Sequence, residues 1–241
     1  MRKKLLNGWR KYDIITKKKK FPHQTGKKGG RQVKQQKISK PVMERLPVYL
    51  HYLKSLPEKP EYISSTVISR ALRLGEVQVR KDLGIVSGAG KPKIGYGTLE
   101  LIRSLEDFLG YNSTLHAVIV GAGKLGMALY DYEGFREYGV NIMAAFDAAP
   151  EKCGTTPTGR VVLPMDALAA FCRENHIEIG IITVPDSHAQ EVCDRLVDAG
   201  IPAIWNFAMH QPHAPTHVRV QNENLASSLA LLCGSIRQQI E

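Results

Sequence analysis

One stretch, Val118-Ile-Val-Gly-Ala-Gly-Lys-Leu-Gly126, restricts the possible folds of this chain more than any other. A short apolar run with the length of a buried strand leads straight into Gly121-x-Gly123-x-x-Gly126, and a helical pattern follows from Leu125 to about Tyr132. Each glycine in such a turn has a physical task. The first makes the tight bend, the second lets backbone N–H groups approach a pyrophosphate, and the third lets helix and strand pack closely. The pyrophosphate then lies at a helix N-terminus, where unpaired N–H groups and the helix dipole favour negative charge. The loop residues Gly121, Ala122, Gly123, Lys124, Leu125 and Gly126 are therefore candidate cofactor contacts. A lone glycine triplet is weak evidence. Here a second strand pattern over 141–147 follows, ending in an acid about twenty residues after Gly126. Asp147 is placed to accept a hydrogen bond from an adenosine ribose 2′-OH. Ala148, Ala149 and Pro150 bring no arginine for a 2′-phosphate, so NAD(H) is expected over NADP(H).

Charge divides the chain before any element is assigned. Residues 1–40 hold fifteen Lys and Arg against one acid, Asp13; residues 41–97 hold nine against five; residues 98–241 hold nine against seventeen. The net +10 therefore hides an acidic C-terminal part. The lysine-rich residues 1–37, with glycines interspersed, bury too little apolar surface to order themselves and are expected to be a disordered, dispensable leader, the alternative being a nucleic-acid-binding arm. Cys153, Cys172, Cys193 and Cys233 show no C-x-x-C spacing, which argues against a disulfide frame or a metal centre and suits a reducing compartment. No apolar run approaches the roughly 20 residues that span a bilayer, and no signal-peptide core follows the basic start. A cytoplasmic protein without a membrane partner is expected.

Order is expected from Ser39-Lys-Pro41, a helix start with a serine cap and a proline in the first turn. Val42, Leu46, Tyr49, Leu50, Leu53 and Leu56 recur at helical spacing up to Pro57, with a kink or break expected at Pro47. Ser64-Ser-Thr caps a second helix, Leu74-Gly75 makes a turn, and a third helix runs from Glu76 to about Leu83. In it Val79 and Leu83 face inward while Gln78, Arg80 and Lys81 stay outside. Two short helices joined by a tight turn are a helix-turn-helix. The glycine-rich segment 87–97, carrying Lys91 and Lys93, adds a basic hairpin, and together they make a winged helix. Its positive charge is where a DNA-binding face needs it. Gln78 and Arg80 have the chemistry for base edges, while Lys81, Lys91 and Lys93 suit phosphate.

Residues 98–115 read as a connecting helix and linker, capped by Thr98 and ended by Gly110. Strand and helix patterns then alternate over 116–222, which indicates a Rossmann-type, doubly wound parallel sheet. Ligand in such a sheet lies outside the C-terminal strand ends, which adds Thr183, Val184, Pro185 and Phe207 to the candidate cofactor contacts. Residues 223–241 form an amphipathic helix with Leu225, Leu229, Leu232 and Ile236 on one stripe, which needs its own domain or a second subunit to cover it. An NAD-dependent oxidoreductase is the rival for such a domain. It requires a proton donor or acceptor and a substrate domain. His188 is the one candidate beside Thr183-Val-Pro185, and no further domain remains; no catalytic residue is assigned. A CoA- or nucleotide-binding accessory domain would share the glycine loop but leave the basic winged helix idle.

In order and spacing, these motifs resemble the Rex family of redox-sensing transcriptional repressors. The matching residues are Ile38-Ser-Lys-Pro41, Arg45-Leu-Pro47, Gln78-Val-Arg-Lys-Asp-Leu83, Gly95-Tyr-Gly97, the Val120–Gly126 loop, Phe146-Asp147, Thr183-Val-Pro185, Asn206-Phe-Ala208 and Asn222-Glu-Asn-Leu225. The resemblance spans roughly residues 38–241. It implies NADH and NAD+ as ligands, and a homodimer whose last helix reaches into the partner subunit. It further implies a palindromic double-stranded operator that is bound when NADH is scarce and released when NADH binds, with Tyr96 in the DNA-contacting wing. In many relatives an aspartate opening the last helix pairs with the wing tyrosine or a helix-one arginine. Here the switch candidates are Asn224, Tyr96 and Arg45, and an uncharged amide cannot form that ion pair.

Overall fold

The computed structural model describes residues 38–238, so the lysine-rich leader lies outside the described residues. The chain divides into two compact units, the first ending at Ser113 and the second beginning at Thr114.

In the first unit, helix α1 (Lys40–Ser55) turns Leu46, Tyr49, Leu50 and Leu53 into a core completed by Ile68 of α2 (Ser65–Leu72) and Val79 and Leu83 of α3 (Glu76–Ser87). Of the kink or break expected at Pro47, a break does not occur, and α1 is one helix through it. The proline removes one N–H to the carbonyl of Met43, a solvent-facing residue, while the inward side chains around it hold the helix together. Ser39 precedes the helix without a side-chain cap; its carbonyl accepts from Val42 and Met43 instead. Ser64 does cap α2, its Oγ accepting from the Val67 N–H at 3.2 Å. The turn after α2 is made by Arg73, whose φ of +53° is left-handed, and not by Gly75, which is extended.

The wing is a tight hairpin. Strands β1 (Tyr62–Ile63) and β2 (Tyr96–Gly97) pair antiparallel, and Lys91 and Gly95 bridge the loop before β2. A Cβ on Gly95 would sit 2.4 Å from the Ile63 carbonyl oxygen, so only glycine fits there. Helix α4 (Thr98–Leu109), expected as a separate connector, buries Leu101, Ile102 and Leu105 in the core of this unit.

The second unit is a seven-stranded sheet in the order β5-β6-β4-β3-β7-β8-β9. Its strands are β3 (Leu115–Val120), β4 (Val140–Asp147), β5 (Gly154–Thr155), β6 (Val161–Pro164), β7 (Ile179–Ile182), β8 (Ala203–Asn206) and β9 (Arg219–Asn222). All neighbours are parallel except β5, a two-residue antiparallel edge too short for sequence periodicity to reveal. Alternation along β3 sends Val118 and Val120 to one face, against α6 (Leu168–Glu174) and α7 (Asp186–Asp198), and Ala117 and Ile119 to the other, with Tyr130 of α5 (Lys124–Asp131). The chain leaves β3 towards β4 on one side and later returns to β7 on its other side. The strand order therefore reverses at β3, which is where an open α/β sheet forms its ligand crevice. Helix α8 (Leu225–Gln238) leaves Leu225, Leu229, Leu231, Leu232 and Ile236 more than half exposed, so its own domain does not cover the stripe.

Candidate functional site

At the reversal point β3 ends in the glycine turn. Gly121 has a φ of +108°, and a Cβ there would lie 2.7 Å from the Thr183 carbonyl oxygen. A Cβ on Gly126 would lie 2.0 Å from the Gly121 oxygen, which is the close helix–strand approach expected of the third glycine. A Cβ on Gly123 would meet nothing within 4 Å, so that side of the turn faces open space. Thr183 Oγ1 donates to the Gly121 carbonyl at 2.8 Å and ties the turn to the end of β7. Gly123 caps α5 without a side-chain hydrogen bond, leaving first-turn amides for an anion. Backbone approach at Gly123 and open amides at a helix start fit a pyrophosphate.

A cleft of about 800 Å³ opens beside this turn. Of the residues singled out from sequence, Gly121, Gly123, Asp147, Thr183, Val184 and Pro185 line it. Ala122, Lys124, Leu125 and Gly126 form the turn and the helix start behind them. Phe207 does not line the cleft. It follows β8 as expected, but its ring packs on Trp205, centroids 4.6 Å apart, among the side chains on the α5 face of the sheet. Alternation past the strand end sends it to that face.

Asp147 is held by the Ala122 N–H at 2.8 Å, the Ala149 N–H at 2.9 Å and Lys152 Nζ at 3.1 Å. Burial opposes its ionisation, but the bonds from Ala149, Lys152 and Ala122 outweigh burial and hold the carboxyl below the usual range. Lys152 and the exposed His188, at the start of α7, also line the cleft. Lys152 carries no sequence signal as a site residue, because it lies beyond the three residues that follow Asp147, and only the 3-10 turn Pro150–Lys152 folds it back onto the carboxylate.

On α3, Gln78, Arg80 and Lys81 are exposed, as are Lys91 and Lys93 in the wing. Lys93 adopts a left-handed φ of +65°, and Lys91 stacks over the Tyr62 ring. Tyr96 departs from expectation: its ring is buried in the winged-helix core and offers no surface to DNA in this arrangement. The strand pairing Ile63↔Tyr96 turns it inward.

Of the other switch candidates, Arg45 and Asn224 both have hydrogen-bond partners. Arg45 donates to the buried Asp82 carboxylate from Nε at 2.7 Å and Nη2 at 3.0 Å, and the Tyr49 hydroxyl donates to the same group at 2.7 Å. Asp82 raises the Arg45 guanidinium further. Burial, and then the bond to Asp82, push the Tyr49 hydroxyl up to about 12. The Gln78 amide also lies against the guanidinium, its oxygen accepting from Arg45 Nη1 at 2.9 Å in the orientation that suits both groups. Asn224 caps α8, its Oδ1 accepting from the Ser227 N–H at 2.8 Å. Asp82 was missed as a site residue, although an acid on the inward face set by Val79 and Leu83 was the signal. Among the described residues no cluster of His, Cys, Asp and Glu could hold a metal ion, and no helix is long and apolar enough to cross a membrane.

A helix-turn-helix with a basic exposed helix, in one chain with a dinucleotide cradle, defines a class: DNA-binding regulators built on a nucleotide-sensing domain. Two family models match in that order, a DNA-binding protein N-terminus over residues 37–84 and a CoA binding domain over residues 112–210. The redox-sensing transcriptional repressor Rex of Treponema denticola is 46% identical over 200 residues, covering 83% of this chain and 95% of that protein. The Rex of Carboxydothermus hydrogenoformans is 41% identical, covering 84% and 98%. Among solved structures, the Rex-family repressor RSP in complex with β-NAD+ and operator DNA superposes with a TM-score of 0.79 at 34% identity, covering 84% of this chain and 94% of that one. RSP in complex with β-NADH superposes with a TM-score of 0.75. The chain belongs to the Rex family of redox-sensing transcriptional repressors. These relatives are named as repressors and not as enzymes.

Proposed function

We propose that this chain is a cytoplasmic repressor that reads the NADH/NAD+ balance, binding a palindromic operator as a homodimer when NADH is low and releasing it when NADH binds. One observation carries this: the glycine turn and Asp147 form an open cleft at the sheet's reversal point, in the same chain as a helix that exposes Gln78, Arg80 and Lys81.

The chain's own residues divide the work. First-turn amides of α5 hold the pyrophosphate, and Asp147 accepts from the adenosine ribose. Val184 and Pro185 give the cleft an apolar wall at the end of β7. Such a wall favours the neutral reduced nicotinamide over the cationic oxidised ring, which costs more to desolvate. Arg80 reads base edges while Lys81, Lys91 and Lys93 neutralise phosphate. Gln78 reads as a donor, because its oxygen is engaged by Arg45. A palindromic site fixes the spacing of two recognition helices. NADH therefore acts by preferring a dimer arrangement with the wrong spacing, through a coupling of about 1–3 kcal/mol. The exposed stripe of α8 supplies an apolar surface for the second subunit.

The test is operator affinity titrated against NADH at fixed NAD+ and fixed salt. The expected result is a fall of roughly 5–150-fold at saturating NADH. Equal affinity in the empty and NADH-saturated forms would remove the sensor function while leaving the DNA-binding assignment standing.

A further inference from the structure

Val77, in the first turn of α3, is 54% exposed and joins neither the core of its unit nor the side chains packed against that core. A single exposed valine means little by itself. This one stands one turn before Arg80 and Lys81 on the same exposed face, at the i+3 and i+4 spacing. It also stands at the helix end that meets base edges in a helix-turn-helix. Its neighbour in sequence is the exposed Gln78, whose oxygen accepts from Arg45 Nη1 at 2.9 Å in the orientation that suits both groups. A guanidinium offers donors and no acceptor, so it holds the amide in that orientation alone. Arg45 is itself fixed by Asp82, through bonds of 2.7 and 3.0 Å. The free end of Gln78 is therefore an amino group that donates and does not turn to accept.

We propose that Val77 and Gln78 together read one thymine in each operator half-site, Val77 covering its C5-methyl and the Gln78 amide donating to its O4. The inference rests on the repressor function proposed above and adds which base the first turn of α3 selects. In the major groove thymine alone sets an apolar group beside an acceptor. Adenine presents an acceptor and an amino donor, and the bidentate bond that glutamine makes to it needs the oxygen that Arg45 holds. Guanine presents acceptors without a methyl and leaves the valine against polar edge atoms. Cytosine points an amino donor at the Gln78 donor. Arg45 is then a positioning residue, which acts through Gln78 by fixing the end of the amide that faces the base.

Selection from randomised duplexes with the full wild-type chain supplies an operator to test this. Each thymine of one half-site is then replaced by deoxyuridine, which lacks the methyl, or by 5-methyldeoxycytidine paired with guanine, which keeps the methyl but turns the acceptor into a donor. Affinities are measured without NADH at fixed salt, with thermal melting to establish that each variant folds. At one thymine wild type should lose about fourfold with uracil, the worth of one buried methyl, and about tenfold with 5-methylcytosine. V77S should no longer distinguish thymine from uracil there, while still rejecting 5-methylcytosine. R45M lets the amide turn, so it should keep the preference for thymine over uracil and lose most of that over 5-methylcytosine. Q78E, which offers an acceptor whatever Arg45 does, should prefer 5-methylcytosine to thymine, and serves if R45M does not fold. A wild type indifferent to uracil at every thymine would overturn the proposal. So would methyl and acceptor losses on different base pairs, a V77S that rejects uracil as wild type does, or a folded R45M that rejects 5-methylcytosine as wild type does. Failure of wild type to select any duplex would overturn the repressor function as well.

Discussion

Asp82 in the first unit and Asp147 in the second are each held by three donors, and there the likeness ends. The donors on Asp82 are side chains of α1, Arg45 and Tyr49, 37 and 33 residues away in sequence, and they enclose a carboxylate only 4% exposed. Two of the donors on Asp147 are backbone amides of adjoining turns, and the carboxylate keeps an open side on the cleft. A carboxylate held by side chains of a distant helix is a joint between helices. One held by the backbone of its own loop and of the glycine turn, with an exposed lysine, is tied by turns and leaves room for a ligand. The first fixes the angle at which α3 presents Arg80 and Lys81; the second is placed to take part in binding.

The largest effect expected from that contrast is on stability. D82A leaves the hydroxyl of Tyr49 without its acceptor and the Arg45 guanidinium with only the Gln78 oxygen, and should cost about 3 kcal/mol in urea unfolding. D147A removes a group whose donors can turn to water in the cleft, and should cost about 1 kcal/mol. Equal costs would erase the distinction between joint and ligand group. The next effect is on DNA. R80A should lose roughly 1–3 kcal/mol of operator affinity and relax preference at one base position in a selection from randomised sites. K81A, next to it on α3, should weaken all sequences alike and reduce the slope of log affinity against log salt by about one. Neither should alter NADH affinity in the absence of DNA, since both belong to the first unit.

The cradle was legible in the sequence because its geometry is local. A strand, three spaced glycines and an acid at the next strand's end leave one sensible fold, and Gly121, Gly126 and Asp147 stand where the pattern put them. What escaped depends on contacts that no spacing encodes. Lys152 reaches Asp147 only because a 3-10 turn folds it back. Phe207 sits at the correct strand end but on the wrong face, decided by packing on Trp205. Tyr96 is buried by a pairing register of two residues, too few for alternation to show. Pro47 does not end α1, because the tertiary packing of the inward side chains holds the helix together across it. The turn after α2 uses Arg73 in the left-handed region, a conformation that residue type alone would have assigned to Gly75.

Alkaline titration sharpens the same contrast with the smallest expected effect. Tyr49 is pushed up to about 12 in the fold, above its ordinary value of 10.0, by burial and by the bond to Asp82. A raised acid keeps its proton in the folded state where the unfolded chain has already released it. The stabilisation is therefore whole below pH 10.0 and is lost as pH climbs towards about 12, with a slope of at most about 1.4 kcal/mol per pH unit for one proton. Cys172, buried in the second unit and raised to about 11, acts in the same direction there. Y49F should flatten the alkaline slope followed by amide hydrogen exchange in α1 and α3 while leaving untouched the slope followed at the amides of β3 and β7, which report the second unit; C172A should do the reverse. A Y49F chain with an unchanged alkaline slope would mean that Asp82 does not hold Tyr49 in its protonated form, and the clamp between α1 and α3 would then rest on Arg45 alone.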